Sequence, residues 1–230
     1  MFIGHFGVGF AAKKAYAAPS LGTYFLAAQV PDALWPIFLL TGWEQVRISP
    51  GDTIVTPLHF VQYPYSHSLL AVTGWATVLA ALHWAVKRDG RASLYIWLAV
   101  ASHWILDFIS HRPDLPLVPG MNRVVGLGLW NSLPATILVE GLMFAVGVAL
   151  YVRATRARDK IGRSALGALV AVLALLYVGD LFGPPPPSER VLVTVQVSGW
   201  LFIPWACWID RHRSSRNVQE DRSWRRNSGR

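Results

Sequence analysis

Apolar residues run along this chain in six blocks, at about 21–43, 68–86, 93–111, 134–152, 164–182 and 191–209. Each matches the roughly 17–25 residues with which an α-helix crosses about 30 Å of hydrocarbon. The predicted architecture is all-α: a polytopic helical membrane protein of about six transmembrane helices. A further apolar stretch, "MFIGHFGVGFAAKK", opens the chain and is too short to span. It is predicted as a packed half-helix whose glycines, Gly4, Gly7 and Gly9, permit close helix approach. In the first block, Pro31 and Pro36 remove backbone donors and predict a kink or break at Asp32. Inside a membrane such a break is tolerated only where protein or a water-filled cavity surrounds it.

Composition agrees with that pattern. Of 230 residues, 53% are hydrophobic, 15% are charged and eleven are tryptophan, whereas soluble domains carry about 25% charged residues. The distribution of charge adds orientation. Between the blocks, 17 of the 21 Lys and Arg fall on alternate segments, leaving Arg47, Arg112, Arg123 and Arg190 on the others. By the positive-inside rule both termini are predicted to be cytoplasmic. The net charge of +8 is thereby explained without nucleic acid. Residues 1–210 are read as one integral membrane domain, and 211–230 as a basic, disordered cytoplasmic tail that touches anionic headgroups. The single cysteine, Cys207, excludes an internal disulfide framework. No secretory signal peptide is expected, because Lys13 and Lys14 follow the first apolar stretch instead of preceding it. The long segment 44–67 is predicted to fold as a lid over the outer mouth of the helices.

Candidate chemistry enters with the ionisable residues inside the blocks. Asp32, Asp107, Glu140 and Asp180 are all acidic, and no block contains Lys or Arg. An uncompensated carboxylate at that depth costs about 2.5–3.5 kcal/mol even on the lenient insertion scale. It must be protonated, hydrogen-bonded to a neutral partner, or given a bound cation. In "SHWILDFISH", His103 and Asp107 are four residues apart on one helical face, and His111 continues that face at i+8. His67 stands at the entrance of the second block, and Asp32 near the middle of the first. Histidines and carboxylates without thiolates suit zinc, with manganese or iron as alternatives. Glu140 is predicted to orient a ligating histidine through a hydrogen bond. The plainer alternatives are a buried pair locking helices (His103 with Asp107), a cap at a broken helix (Asp32), a neighbour of a capping serine (His67), protonated glue (Glu140) and interface residues (His111, Asp114).

A His near the start, "PD" in the first block, "SHS" opening the second and "SHWILD" in the third together resemble bacterial membrane-bound metal-dependent hydrolases. These are inner-membrane proteins described as LexA-regulated and likened to zinc-dependent phospholipases C. The likeness covers about residues 1–120, with "GLWNS…VEG" at 128–141 as a weaker extension. It implies metal ligands at His5, Asp32, His67, His103 and Asp107. There are departures: no second acid follows "PD", and "YPYSHS" stands where the family often has Arg-Gly before its corresponding element. The missing acid implies one metal instead of two, or no catalysis. The expected activity is metal-dependent hydrolysis of a phospholipid or other lipid-linked ester, with membrane lipid as the partner. Ion- or proton-coupled transport and a non-catalytic membrane scaffold are the rival functions.

Overall fold

A computed structural model describes residues 1–121 and 123–216. The helices are α1 (Ile3–Ala15), α2 (Leu21–Leu40), a single turn α3 (Pro64–His67), α4 (Leu69–Lys87), α5 (Gly90–Ser110), α6 (Leu133–Ala154), α7 (Lys160–Phe182), α8 (Glu189–Ser198) and α9 (Phe202–Arg211). Six are long and apolar enough to cross a membrane, counting Glu189–Arg211 as one. Their outward faces expose Leu70, Leu82, Val86, Ile105, Leu138 and Leu175, which suits lipid as the surrounding solvent. The chain is an all-α membrane-type protein.

Several helix starts have visible causes. Ser20, Ser68, Asp89, Asp159 and Ser188 each accept a hydrogen bond from a backbone N–H three residues on, the arrangement that satisfies the otherwise unpaired donors of a first turn. The ends of the helices define two faces. One carries Lys13, Lys87 and the 153–163 turn and is termed the basic face. The other, the loop face, carries the antiparallel hairpin β1 (Gln45–Ile48) with β2 (Leu58–Gln62), and the pair β3 (Leu115–Pro116) with β4 (Val124–Val125). Trp35, Val46, Tyr63, Leu115 and Leu192 form a small apolar cluster beneath this layer.

Two expectations need correction. The break at Asp32 does not occur: α2 is continuous past Pro31 and Pro36, because each proline removes only one backbone donor and the packing of Tyr24, Phe25, Val30 and Trp35 holds the helix together. The tail is not wholly free either. Arg213–Ser215 form β6, paired with β5 (Thr155–Ala157). Arg213 is buried, donating to Thr155 Oγ1 and the Gly162 carbonyl, with its guanidinium 5.4 Å from the Tyr151 ring centre. Residues 217–230, the remainder of the predicted disordered tail, lie outside the described residues.

α1 is the element that sequence reasoning places least securely. Thirteen residues reach about 20 Å, two-thirds of the hydrocarbon thickness. The helix begins deep on the loop side and ends at the basic face, where Lys13 Nζ donates to the Pro19 carbonyl and to Asp210 Oδ2, both at 2.7 Å. It packs against α6 backbone to backbone. A Cβ on Gly147 would collide with the Gly7 backbone, and one on Gly7 with the Met143 carbonyl. Only glycine at both positions lets α1 dock this close, and that docking fixes the depth of His5.

Candidate metal centre

Four helices converge on one buried polar cluster. α5 contributes His103 and Asp107, one turn apart. α2 contributes Asp32, twelfth of its twenty residues and so near mid-membrane, α3 contributes His67, and α1 brings His5. Two overlapping groups result, with ligand atoms inside each lying within 4.8 Å of one another: Asp32, His67 and His103, and His5, His103 and Asp107. His5 stacks on His103 with ring centres 3.7 Å apart and planes 3° from parallel. The predicted half-helix thus does carry His5 to the cluster. Its start lies at the site rather than at the basic face.

Hydrogen bonds decide how each imidazole presents itself. His103 Nδ1 is 2.7 Å from the Ala28 carbonyl. A carbonyl only accepts, so Nδ1 carries the proton and Nε2 of the neutral ring holds a lone pair. His67 is fixed by a longer chain. Glu44, wholly buried, accepts from the Tyr65 and Ser66 amides at 2.7 Å and from Ser66 Oγ at 2.6 Å. The Ser66 hydroxyl proton is therefore committed to Glu44, and Ser66 Oγ accepts from His67 Nδ1 at 2.6 Å. Both rings have Nδ1–H anchored outward and Nε2 aimed inward, the orientation that outer partners impose on metal-binding histidines.

What the two Nε2 atoms meet is oxygen. His103 Nε2 lies 3.1 Å from Asp107 Oδ2 and 3.7 Å from Asp32 Oδ1. His67 Nε2 lies 3.3 Å from Asp32 Oδ1 and 3.8 Å from Asp107 Oδ2. Tetrahedral ligands about 2.0–2.1 Å from a zinc ion stand about 3.3–3.4 Å apart, and these four distances bracket that value. His103 Nε2 is buried without any hydrogen-bond partner. A lone pair facing carboxylate oxygens in a dry interior is repulsive until a proton or a metal ion stands between them.

The remaining charges add to the case. Because a carboxylate oxygen only accepts, His5 Nε2 carries the proton and donates to Asp107 Oδ1 at 3.1 Å, and the Met1 amino group reaches the same oxygen at 2.5 Å and Ser110 Oγ at 3.1 Å. Three carboxylates, Asp32, Asp107 and Glu140, gather around these contacts.

Two predicted roles change. Glu140 touches no histidine. Its Oε2 accepts from the Phe2 amide at 2.8 Å and the Gly4 amide at 3.5 Å, so α6 caps the N-terminus of α1. The first turn of a helix buried at this depth has no water for its free N–H groups, and a carboxylate also suits the helix dipole. Glu140 positions His5 through the backbone of α1. His111 does not join the cluster. α5 ends at Ser110 and His111 adopts an extended conformation, which abandons the i+8 register. Its Nδ1 instead lies 3.0 Å from Asp114 Oδ1 and 3.2 Å from the Tyr63 hydroxyl. Burial raises the Asp114 pKa, but the hydrogen bonds from His111, Tyr63 and Arg112 outweigh it and hold that carboxyl below its ordinary value. Asp114 and Arg112, which also reaches Asp52 and His59, tie the β1–β2 hairpin to the end of α5. Asp180 is exposed on α7.

Glu44 and Ser66, which fix the His67 ring, are absent from the candidates the sequence offers. The only signal was a serine directly before His67; its acceptor is 22 residues away across a hairpin. Comparison with family models, curated proteins and solved structures finds no match to this chain. The functional reading therefore stands on the residues and their geometry.

Proposed function

We propose that this protein is a metal-dependent hydrolase of the bacterial inner membrane, with both termini cytoplasmic and the loop face outward, acting on a phospholipid or other lipid-linked ester. The observation that carries the reading is the pair of imidazoles, His67 and His103, with Nδ1 tied outward and Nε2 directed at Asp32 and Asp107. Those four residues would hold the ion, with zinc favoured by the mixed nitrogen and oxygen donors. Bound there, a divalent metal supplies Lewis acidity and a water acidified towards pKa ~7. The protein's own residues do the rest. Glu44, through Ser66, fixes the His67 tautomer. His5 and Met1 steady Asp107. Asp32, the one member with substantial exposure at 32% of its side chain, is placed to take a proton from, or present it to, an incoming group.

The layer below the cluster supports hydrolysis over conduction. Phe6, Phe10, Phe25, Phe144 and Leu169 pack in one apolar cluster of α1, α2, α6 and α7, poor surroundings for a conducted ion. Incubating the purified protein with an extracted bacterial lipid mixture and following products by mass spectrometry tests the activity. Hydrolysis products that vanish with chelator and with Asp32→Asn are expected. Unchanged lipids alongside metal-loaded protein would refute the enzymatic reading.

A further inference from the structure

The cluster is closed on most sides. Side chains of His103, Asp107 and His67 are 0%, 2% and 5% exposed against 32% for Asp32, so whatever reaches the centre arrives past Asp32. That residue lies in the wall of a groove whose floor is α1 and whose sides are α2 and the α8–α9 segment. Phe25, Phe202, Ile203 and Trp200 line it, with Gln29 and Gln196 as its polar members. The groove exists because the sixth span is not a uniform helix. Pro204 offers no N–H to the Trp200 carbonyl, and residues Gly199–Leu201 tighten into a 3-10 turn between α8 and α9. Gly199 leaves open space there, with no atom within 4 Å of where a Cβ would stand.

We infer that this groove is a lateral portal which binds one acyl chain of a membrane lipid and presents the lipid's polar linkage to Asp32. The inference rests on the metal-site reading for its inner end. Three observations select a lipid chain as the occupant. The groove lies between membrane-spanning helices, about 12 Å from the loop-face end of α2 at Asp32, where hydrocarbon is the surrounding medium. Its apolar wall extends from Asp32 toward the basic face through Phe25 and Phe202, an apolar path along which an acyl chain can lie. Near the site end, Gln29 Oε1 is buried without a hydrogen-bond donor, one turn before Asp32. An orphan acceptor there fits a hydroxyl or amide N–H next to the scissile linkage. The substrate class is therefore a lipid with at least one long chain and a donor group beside its hydrolysable bond. A water-soluble ester would have to cross the hairpin layer instead.

Photolabelling of the full-length protein tests this. Nanodiscs of phosphatidylglycerol doped with a phospholipid carrying a diazirine near the end of one acyl chain are irradiated, and labelled residues are mapped by mass spectrometry. Labelling concentrated on Phe25 and on Trp200–Ile203, falling at least five-fold in Gly199→Trp, is the expected result. Labels spread evenly over lipid-facing residues such as Leu82 and Leu175, or unaffected by Gly199→Trp, overturn the portal. So does a groove without label because a second copy of the chain covers it. Metal content is measured on the same samples. Groove labelling on metal-free wild type would sink the metal reading and leave the portal, whereas metal-loaded protein without groove labelling does the reverse. Ala33→Trp, which fills the groove from the α2 side, provides a second block should Gly199→Trp not fold.

Discussion

Two buried polar clusters sit at opposite ends of the same bundle, and they are built differently. At the basic face Asp210 accepts from Lys13 Nζ at 2.7 Å, from the Tyr151 hydroxyl at 3.2 Å and from the Leu21 amide at 3.4 Å. Lys13 also donates to the Pro19 carbonyl. Each of these groups has a hydrogen-bond partner, so the cluster is matched by the chain's own atoms. Near the loop face, Asp32 and Asp107 confront two imidazole nitrogens whose protons are held elsewhere, and His103 Nε2 has no hydrogen-bond partner. The first cluster is a lock between α1, α2, α6 and α9. In the second, the His103 Nε2 lone pair faces carboxylate oxygen with room for a proton or a metal ion between them. The contrast teaches that burial and ionisability alone do not single out a candidate site; the partnerless His103 Nε2 does.

The largest effect that would test this contrast is structural. Lys13→Met strands the Asp210 carboxylate, and breaking a buried pair from one side costs about 3–5 kcal/mol, with the low end expected because Asp210 is 15% exposed. Denaturant unfolding in micelles should show that loss, while metal content of the folded fraction stays at the wild-type level. Asp32→Asn should do the opposite, leaving the stability of metal-free protein within about 1 kcal/mol and abolishing metal binding. A stability loss from Asp32→Asn as large as that from Lys13→Met would erase the distinction.

Next in size is the response to metal itself. Zinc at about 100 times its dissociation constant should stabilise the wild type by roughly 2.7 kcal/mol, seen as a rise in Tm that chelator reverses. Asp32→Asn should show no rise and Lys13→Met a full one.

How far the sequence foretold these two ends differs in the same way. The six spans appear close to their predicted limits because hydrocarbon thickness imposes a length that composition reveals directly. Asp32, His67, His103 and Asp107 were legible because ionisable residues in apolar blocks are conspicuous. The roles that depend on where a helix stops or which loops meet were not. His111 left the face because α5 ends one residue earlier, a difference of a single hydrogen bond. The sequence suggests a histidine partner for Glu140 because nothing in its own helix reveals that a different helix begins beneath it. Glu44 and Ser66 meet only once the β1–β2 hairpin has formed, and Lys13 pairs with a residue 197 positions away. Such contacts are set by tertiary packing, which short-range pattern does not encode.

A smaller effect isolates the outer support of the site. Glu44→Gln weakens the acceptor that fixes Ser66 and hence the His67 ring, and losing such a partner lowers metal affinity about 10- to 100-fold. Competition with a fluorescent chelator reads that shift; unchanged affinity would mean that the Glu44–Ser66–His67 chain serves only the hairpin. Smallest of all is His111→Ala, for which metal affinity should stay within about two-fold. A ten-fold loss there would return His111 to the ligand set.

The central claim is that the loop-side cluster is completed by one divalent ion. Its most direct test is elemental analysis of protein purified without chelator, for the wild type and for His103→Ala, which removes the partnerless nitrogen. About one zinc or comparable divalent ion per chain in the wild type, and less than a tenth of that in His103→Ala, is the predicted outcome. A wild type without stoichiometric metal, or a His103→Ala variant that keeps it, would contradict the account.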